Sequence, residues 1–518
     1  MQGKLKNAKG ITLVALIITI IILLILAGVT IGLVIGENGL IEKSKQSANK
    51  YNDASEIERI NMIVAEAQTK GYEQGNNGEL TQANLQEALD NSYGVGKATA
   101  SEKQADGSFI IKVGEKEYKI DDSLGVSENK PIEKVQPKNI ADWEYTTDTE
   151  TNTIIINKYK GKDTEVVVPN YIGDIPVKAI EGTGENGSIW DASICDDVYL
   201  GSGSAIHQLT IEKITVSEGI ESIENSIFMR TKKIKEVSLP STLKKIGIGS
   251  FEECDNLTNV NIPNGLISIE GSAFERCVAL ENIEIPDSVT SIGNRAFYGC
   301  SSLNNITIPD GVIEISNSLF YECNKLESIT FPKKLKSIGE KVFYNCSSLA
   351  KITIPDSVNS IGNSAFYGCE KLENIVIPNG ITALRYQIFR CCTSLKEVTI
   401  PDSVTDISSS AFDECSALEN IEIPDSVTNI GHSAFGGCSK LTVLEIPNSV
   451  KEIEDWAFSR CEGLTKITIP NSVDVIRRMA FDIESTNVEI ICDFESKPSG
   501  WDDEWTNCTN IIWKRAQT

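Results

Sequence analysis

The residues with most chemistry to offer in this 518-residue chain are its fourteen cysteines, and their spacing narrows what that chemistry can be. Ten of them recur every 23 residues: Cys254, Cys277, Cys300, Cys323, Cys346, Cys369, Cys392, Cys415, Cys438 and Cys461. Copies of one unit stacked in chain order hold equivalent side chains parallel, with backbones about 5 Å apart. Their Cβ atoms therefore do not converge as a disulfide requires. A zinc array would need C-x-x-C pairs or nearby imidazoles, and the only histidines, His207 and His432, stand in unrelated contexts. The phased thiols read as reduced, buried, small hydrophobes. Cys391 breaks the phase beside Cys392 and reads either as an exposed thiol or equally as drift from a Gly or Glu, while Cys492 and Cys508 lie off the period, either paired or free. No G-x-S-x-G, H-E-x-x-H, Walker loop or dinucleotide fingerprint stands in its required context. The chain is read as no enzyme, with no catalytic, metal or cofactor-binding residue.

What positions the thiols is a repeat. Each phased cysteine follows a phenylalanine by three residues, and twelve phenylalanines run 23 apart from Phe228 to Phe481. A fixed period of this size means one supersecondary unit that buries its apolar face only against copies of itself. In the unit CVALENIEIPDSVTSIGNRAFYG, Asn282-Ile283-Glu284-Ile285 alternates and reads as a short strand with its isoleucines inward. Pro286 ends it; eleven prolines from Pro240 to Pro470 share that phase, and each lacks the N–H needed to continue a ladder. The following Asp-Ser suits a turn. Val289 and Ile292 then point inward, and Ala296-Phe297 supplies an irregular turn on the opposite wall. The fold class is a β-rich solenoid of 23-residue coils with a parallel sheet on one face. Twelve coils span about 55 to 60 Å at the usual strand spacing.

These units resemble BspA-type leucine-rich repeats, with cysteine where many leucine-rich repeats place asparagine. The resemblance covers roughly residues 140–518 and implies a right-handed solenoid. It also implies attachment to extracellular matrix proteins and to other bacteria. Residues 140–216 read as an N-terminal cap with a degenerate coil, including a Gly-, Ser- and Asp-rich insertion at 181–207 that carries Trp190, Cys195 and His207. Residues 217–484 are the repeats. The terminal coil at 485–518 offers Trp501, Trp505 and Trp513 to cover the last open face.

Ahead of the array, Ile11 to Ile35 is free of charge and, as a helix, long enough to cross a bilayer core. Lys4, Lys6 and Lys9 precede this transmembrane segment, 11–36, and Glu37 follows, which keeps the N-terminus inside and puts the rest of the chain outside the cell. Lys9-Gly10-Ile11-Thr12-Leu13-Val14 resembles the leader of type IV prepilins. That resemblance implies a leader at 1–10, cleavage after Gly10 by a prepilin peptidase, methylation of Ile11, and other pilins as partners. The family's glutamate at the fifth mature position is Ala15 here, so the acidic partner used in filament assembly is missing. Residues 37–121 read as a pilin-like helix with Ile57, Ile60, Val64 and Ala67 on one face, a second helix capped by Thr81, and two strands around Gly114. This makes a small α+β head or stalk. Residues 122–139 have linker composition.

The composition bounds the partner. A net charge of −25, with 73 acidic against 48 basic residues, argues against nucleic acid. The outward strand positions offer short hydroxyl and amide groups: Asn282, Glu284, Asn305, Thr307, Ser328, Thr330, Lys351 and Thr353 form the candidate contact face. Tyr298, Tyr321, Tyr344 and Tyr367 share one phase just after the phenylalanine and form a candidate aromatic stripe, or else a cover for the core. The expected function is a membrane-anchored, surface-exposed adhesion protein that binds an extracellular protein or glycan. The alternative is a minor pilin or pseudopilin displaying the repeats on a filament or secretion machine.

Overall fold

A computed structural model describes residues 40–76, 78–104, 107–120, 124, 126–128, 132–181, 211–483 and 488–514. Gly10, Ile11, the apolar run and nearly all of the 181–207 insertion lie outside them. The chain divides into two compact units after residue 131.

In the first unit, helix α1 (Leu40–Glu73) packs on α2 (Gln82–Tyr93). Four antiparallel strands follow in the order of the chain: β1 (Ala98–Ala100), β2 (Phe109–Val113), β3 (Lys116–Ile120) and β4 (Val126–Glu128). Thr81 caps α2, its Oγ1 accepting from the amide of Asn84 at 3.2 Å. Gly114, at φ +62°, lets β2 turn directly into β3. Ile60, Val64 and Ala67 on α1 meet Leu85 and Leu89 on α2 and Ile111 and Tyr118 on the sheet in one buried core. Arg59 joins the helices at their surface, donating from Nη2 to the carbonyl of Ser92 at 2.6 Å and lying over the Tyr93 ring. Among the described residues no helix is long and apolar enough to cross a membrane.

The second unit opens with an antiparallel hairpin, β5 (Trp143–Asp148) on β6 (Thr153–Tyr159), which covers one end of the array. Residues 132–139, read from composition as linker, are strapped to this cap. The side-chain amide of Asn170, 1% exposed, accepts from the Val135 amide at 2.8 Å and donates to the carbonyls of Glu133 and Glu218 at 2.9 and 2.6 Å.

Within the repeats, the expected three-residue strands form, as at Asn282–Glu284, and pair in parallel one coil to the next. The single-sheet expectation is corrected. A second parallel ladder of two-residue strands, such as Ser291–Ile292 on Ser268–Ile269, runs along the face after the proline corner. Its core residues, Val289 and Ile292, are three apart, so no period-2 alternation marks the strand. The long ladder is also not continuous: residues 351–353 and 420–422 keep their places in the coil without strand pairing. At the corner, Ser288, Ser357, Ser403 and Ser426 each donate to a carbonyl of the preceding coil at 2.6–2.7 Å.

The third wall is built from turns, yet it too is hydrogen-bonded in register. Each repeat phenylalanine but the last donates its N–H to the residue just before the next coil's phenylalanine, as Phe297 to Leu319 at 3.1 Å and Phe343 to Ala365 at 2.8 Å, and Phe481 donates to Trp505. The turn demands left-handed backbone two residues before the phenylalanine, filled by glycine at Gly249 and without glycine by Ser272, Arg295, Ser318, Lys341 and others at φ of 52–60°. A second left-handed position two residues after it holds Gly299, Gly368 and Gly437, and also Cys391 at φ +61°. Cys391 is thus a substitute at a turn position, half-buried, rather than a misplaced member of the thiol file.

All twelve phenylalanines are 0% exposed, and successive rings stack with centroids 5.1–5.8 Å apart. The ten phased thiols are buried and free, and each donates its S–H to the preceding coil's phenylalanine carbonyl, as Cys346 to Phe320 at 3.0 Å. In the first coil Thr231 stands at this position and donates instead to the carbonyl of its own coil's Phe228. Cys492 and Cys508 are both free and buried. At the far end Trp505 meets Phe481 edge-on at 5.8 Å, and Trp501 donates Nε1–H to the Val473 carbonyl at 3.1 Å. The last phenylalanine thereby gains the neighbour that another coil would have supplied.

Burial pushes the phased thiols well above their ordinary value of 9.0, Cys461 to about 12. Thiols of the unfolded chain ionise above pH 9 while the folded ones stay protonated. Their contribution to stability is therefore complete below pH 9 and is lost progressively as pH rises from there toward their raised native values. Each thiol adds a slope of about 1.4 kcal/mol per pH unit. Urea unfolding between pH 9 and 11 should show stability falling steeply. Replacing Cys277, Cys300 and Cys323 by threonine, the residue of the first coil, should remove about 4 kcal/mol per pH unit of that slope; an unchanged slope would show that these thiols are not buried.

Candidate ligand-contact surfaces

The eight residues of the candidate contact face all lie exposed on the long-strand side. The pairing register sets them in columns: Asn282 beside Asn305, Asn305 beside Ser328, Thr307 beside Thr330. Ser328 donates to the Asn305 side-chain oxygen at 2.6 Å, so part of the row is tied to itself. Lys351 and Thr353 continue the columns through the coil where the strand pairing lapses. Two apolar members, Val376 at 64% and Val443 at 44% exposure, stand on the same face further along. They were legible in the register as outward positions, but carry no polar signal that singles them out. The face therefore offers regularly spaced hydroxyl and amide groups with isolated apolar anchors.

The tyrosine stripe is a different object. Tyr298, Tyr321, Tyr344 and Tyr367 are half-buried and stacked ring on ring, with centroids 4.6, 4.6 and 4.3 Å apart and planes within 5°. The ring faces are used on one another, leaving edges and hydroxyls outward. The first ring is covered by the Arg295 guanidinium, 4.3 Å from its centroid. Arg295 in turn grips the buried Glu275 carboxylate with two hydrogen bonds of 2.6 and 3.1 Å. Beyond the last ring, Arg390 lies 5.9 Å from the Tyr367 centroid and pairs with the buried Asp413 at 3.0 Å. Burial raises the Asp413 carboxyl despite that guanidinium. Burial first, then a hydrogen bond with Cys391, pushes the Tyr367 phenol to about 12. A file of aromatics closed at both ends by cation–carboxylate pairs covers the wall, and a flat ligand finds no open ring face along it. Glu275, Arg390 and Asp413 occupy the tyrosines' own phase in neighbouring coils, and that was the sequence signal for the caps.

Arg295→Met would leave the Glu275 carboxylate buried without its partner. Because Arg295 is itself half exposed, the expected loss is about 2 kcal/mol, below the usual range for an orphaned buried charge. Thr330→Ala on the open face should stay within about 0.5 kcal/mol. Chemical denaturation of both variants checks this; equal stabilities would mean the cap is only a surface ion pair.

A family model described as BspA type leucine rich repeat region matches residues 202–324, 267–395 and 359–489. No curated protein matches the sequence. Among solved structures, a leucine-rich repeat protein from Bacteroides ovatus is 24% identical with a TM-score of 0.56, over 75% of this chain and all of that one. A leucine rich cell surface protein from Faecalibacterium prausnitzii is 24% identical with a TM-score of 0.45, over 75% of this chain and 96% of that one. The matched span takes in more than half of the sequence and falls on the coils whose phenylalanines and thiols stack in register, so this chain belongs to the BspA-type leucine-rich repeat family.

Proposed function

We propose that this protein is a membrane-anchored, surface-displayed adhesion protein whose solenoid binds extracellular protein or glycan. The observation that carries the reading is the exposed long-strand face. Its side chains are free of the core, repeat at the spacing of a parallel ladder and offer donors and acceptors in rows. Such a surface suits an extended partner that makes many modest hydrogen bonds, with Val376 and Val443 as apolar footholds. Membership of the BspA-type family supports an interaction role over catalysis. The uncharged run Ile11 to Ile35 supports anchoring, with the array outside. No observation on the described residues favours the filament-subunit alternative.

Cells displaying the full chain should be captured by immobilised extracellular matrix glycoproteins. Thr307→Arg combined with Thr330→Arg should weaken capture at least tenfold without changing thermal unfolding. Deleting residues 11–35 should move the protein from the membrane to the soluble fraction. Capture that is absent, or indifferent to the double variant, would sink the contact-face assignment.

A further inference from the structure

A depression of about 350 Å³ lies on the short-strand side, away from the contact face just described. Its origin is visible in the coil positions. Four residues before the phenylalanine, most coils carry a side chain, such as Glu270, Ser316, Arg385 or Glu454. Gly247, Gly293 and Gly431 also stand at this phase, each alone between coils with a side chain there; Gly339 and Gly362 are glycines in adjacent coils, and both have a small serine two residues earlier, Ser337 and Ser360. The floor is therefore backbone. A Cβ on Gly362 would come within 2.5 Å of the Glu340 amide nitrogen, so the coils close directly on each other beneath it. The next coil restores a long side chain in the same column, and Arg385 forms one end wall.

The rim is polar in both senses. Glu340 is fixed by its neighbours: its amide donates to the Asn317 side chain at 2.8 Å, and one carboxylate oxygen accepts from Asn363 at 3.2 Å. The other oxygen has no hydrogen-bond partner among the described residues. Arg385 is exposed and has no ion pair among the described residues, in a chain where acids far outnumber bases. An anion would meet Glu340, a cation would meet Arg385, and an apolar ligand would desolvate both without replacing their hydrogen bonds. A neutral polyol meets both, because its several hydroxyls can donate to a carboxylate at one end of the groove and accept from a guanidinium at the other. The volume is in the range of small-ligand sites.

We infer that the groove between Gly339 and Arg385 is a binding site for a neutral sugar. This deepens the adhesion reading by giving it a glycan and a second face, and it rests on that reading only for its biological setting.

The full-length chain in detergent micelles should show saturation transfer by NMR to one or more of galactose, N-acetylglucosamine and lactose at millimolar concentration. Ser360→Gln fills the groove at a position where other coils carry Lys245, Glu314 or Glu452, so the fold tolerates it, and it should weaken binding at least fivefold. Arg385→Ala should do the same. No transfer to any neutral sugar, transfer only to the acidic N-acetylneuraminic acid, or binding unaffected by Ser360→Gln would each overturn the inference. Matrix capture that persists without sugar binding would remove the groove site and leave the adhesion reading. Sugar binding without any capture would do the reverse.

Discussion

The second unit depends on one constraint: every coil must repeat the backbone of the previous one after 23 residues, on three walls at once. Two walls are strand ladders and the third is a ladder of turns in which each phenylalanine amide reaches the next coil. An insertion of one residue in any coil would break all three ladders, since buried amides left without partners cost more than a single lost contact. The left-handed positions either side of the phenylalanine follow from the same demand. Ser, Arg, Lys and even Trp456 accept a backbone that glycine prefers because the neighbouring coils fix it.

Strict translation turns every residue choice into a column. A phenylalanine column becomes a continuous stack, and a tyrosine column four coils long becomes a second stack on the outside of the same wall. The cysteine column is chosen for a double duty. The thiol is small and apolar enough for the interior, yet it can donate to a phenylalanine carbonyl that lies buried beside it. Where the column begins, threonine meets the carbonyl with a hydroxyl, and where it ends Cys508 approaches Phe481 at 3.9 Å from the terminal coil. Departures from a column are then the places where something other than stacking acts. Glu275 and Asp413 bracket the tyrosines, and the paired glycines at 339 and 362 open the groove.

Much of this was legible in the residues. Phe228 to Phe481 gave the period, Pro286 and its equivalents gave the corners, and the spacing of the cysteines excluded disulfides along the array. Thr81 announced its helix cap, and the three terminal tryptophans a cover for the open end, of which Trp505 meets Phe481. The contact-face residues were readable as outward because strand side chains alternate. The second ladder was not readable, because Val289 and Ile292 are three apart, a spacing that breaks the alternation of a strand and suits a helical turn instead. The strap at 132–139 was equally hidden: its sequence has the composition of a linker, and its backbone partners, Asn170 and Tyr171, lie more than thirty residues away.

The sequence by itself determined the repeat, its register and which side chains go inward, since these depend on apolar period and on proline's missing donor, both local properties. Only the tertiary structure decided what stands next to what across coils. It showed that the tyrosines spend their faces on each other and that Cys391 occupies a turn position. It also showed two glycines in successive coils joining into one depression. Contacts 23 residues apart in the chain are neighbours about 5 Å apart in space, and no property of a single coil specifies the side chain that the next one will bring.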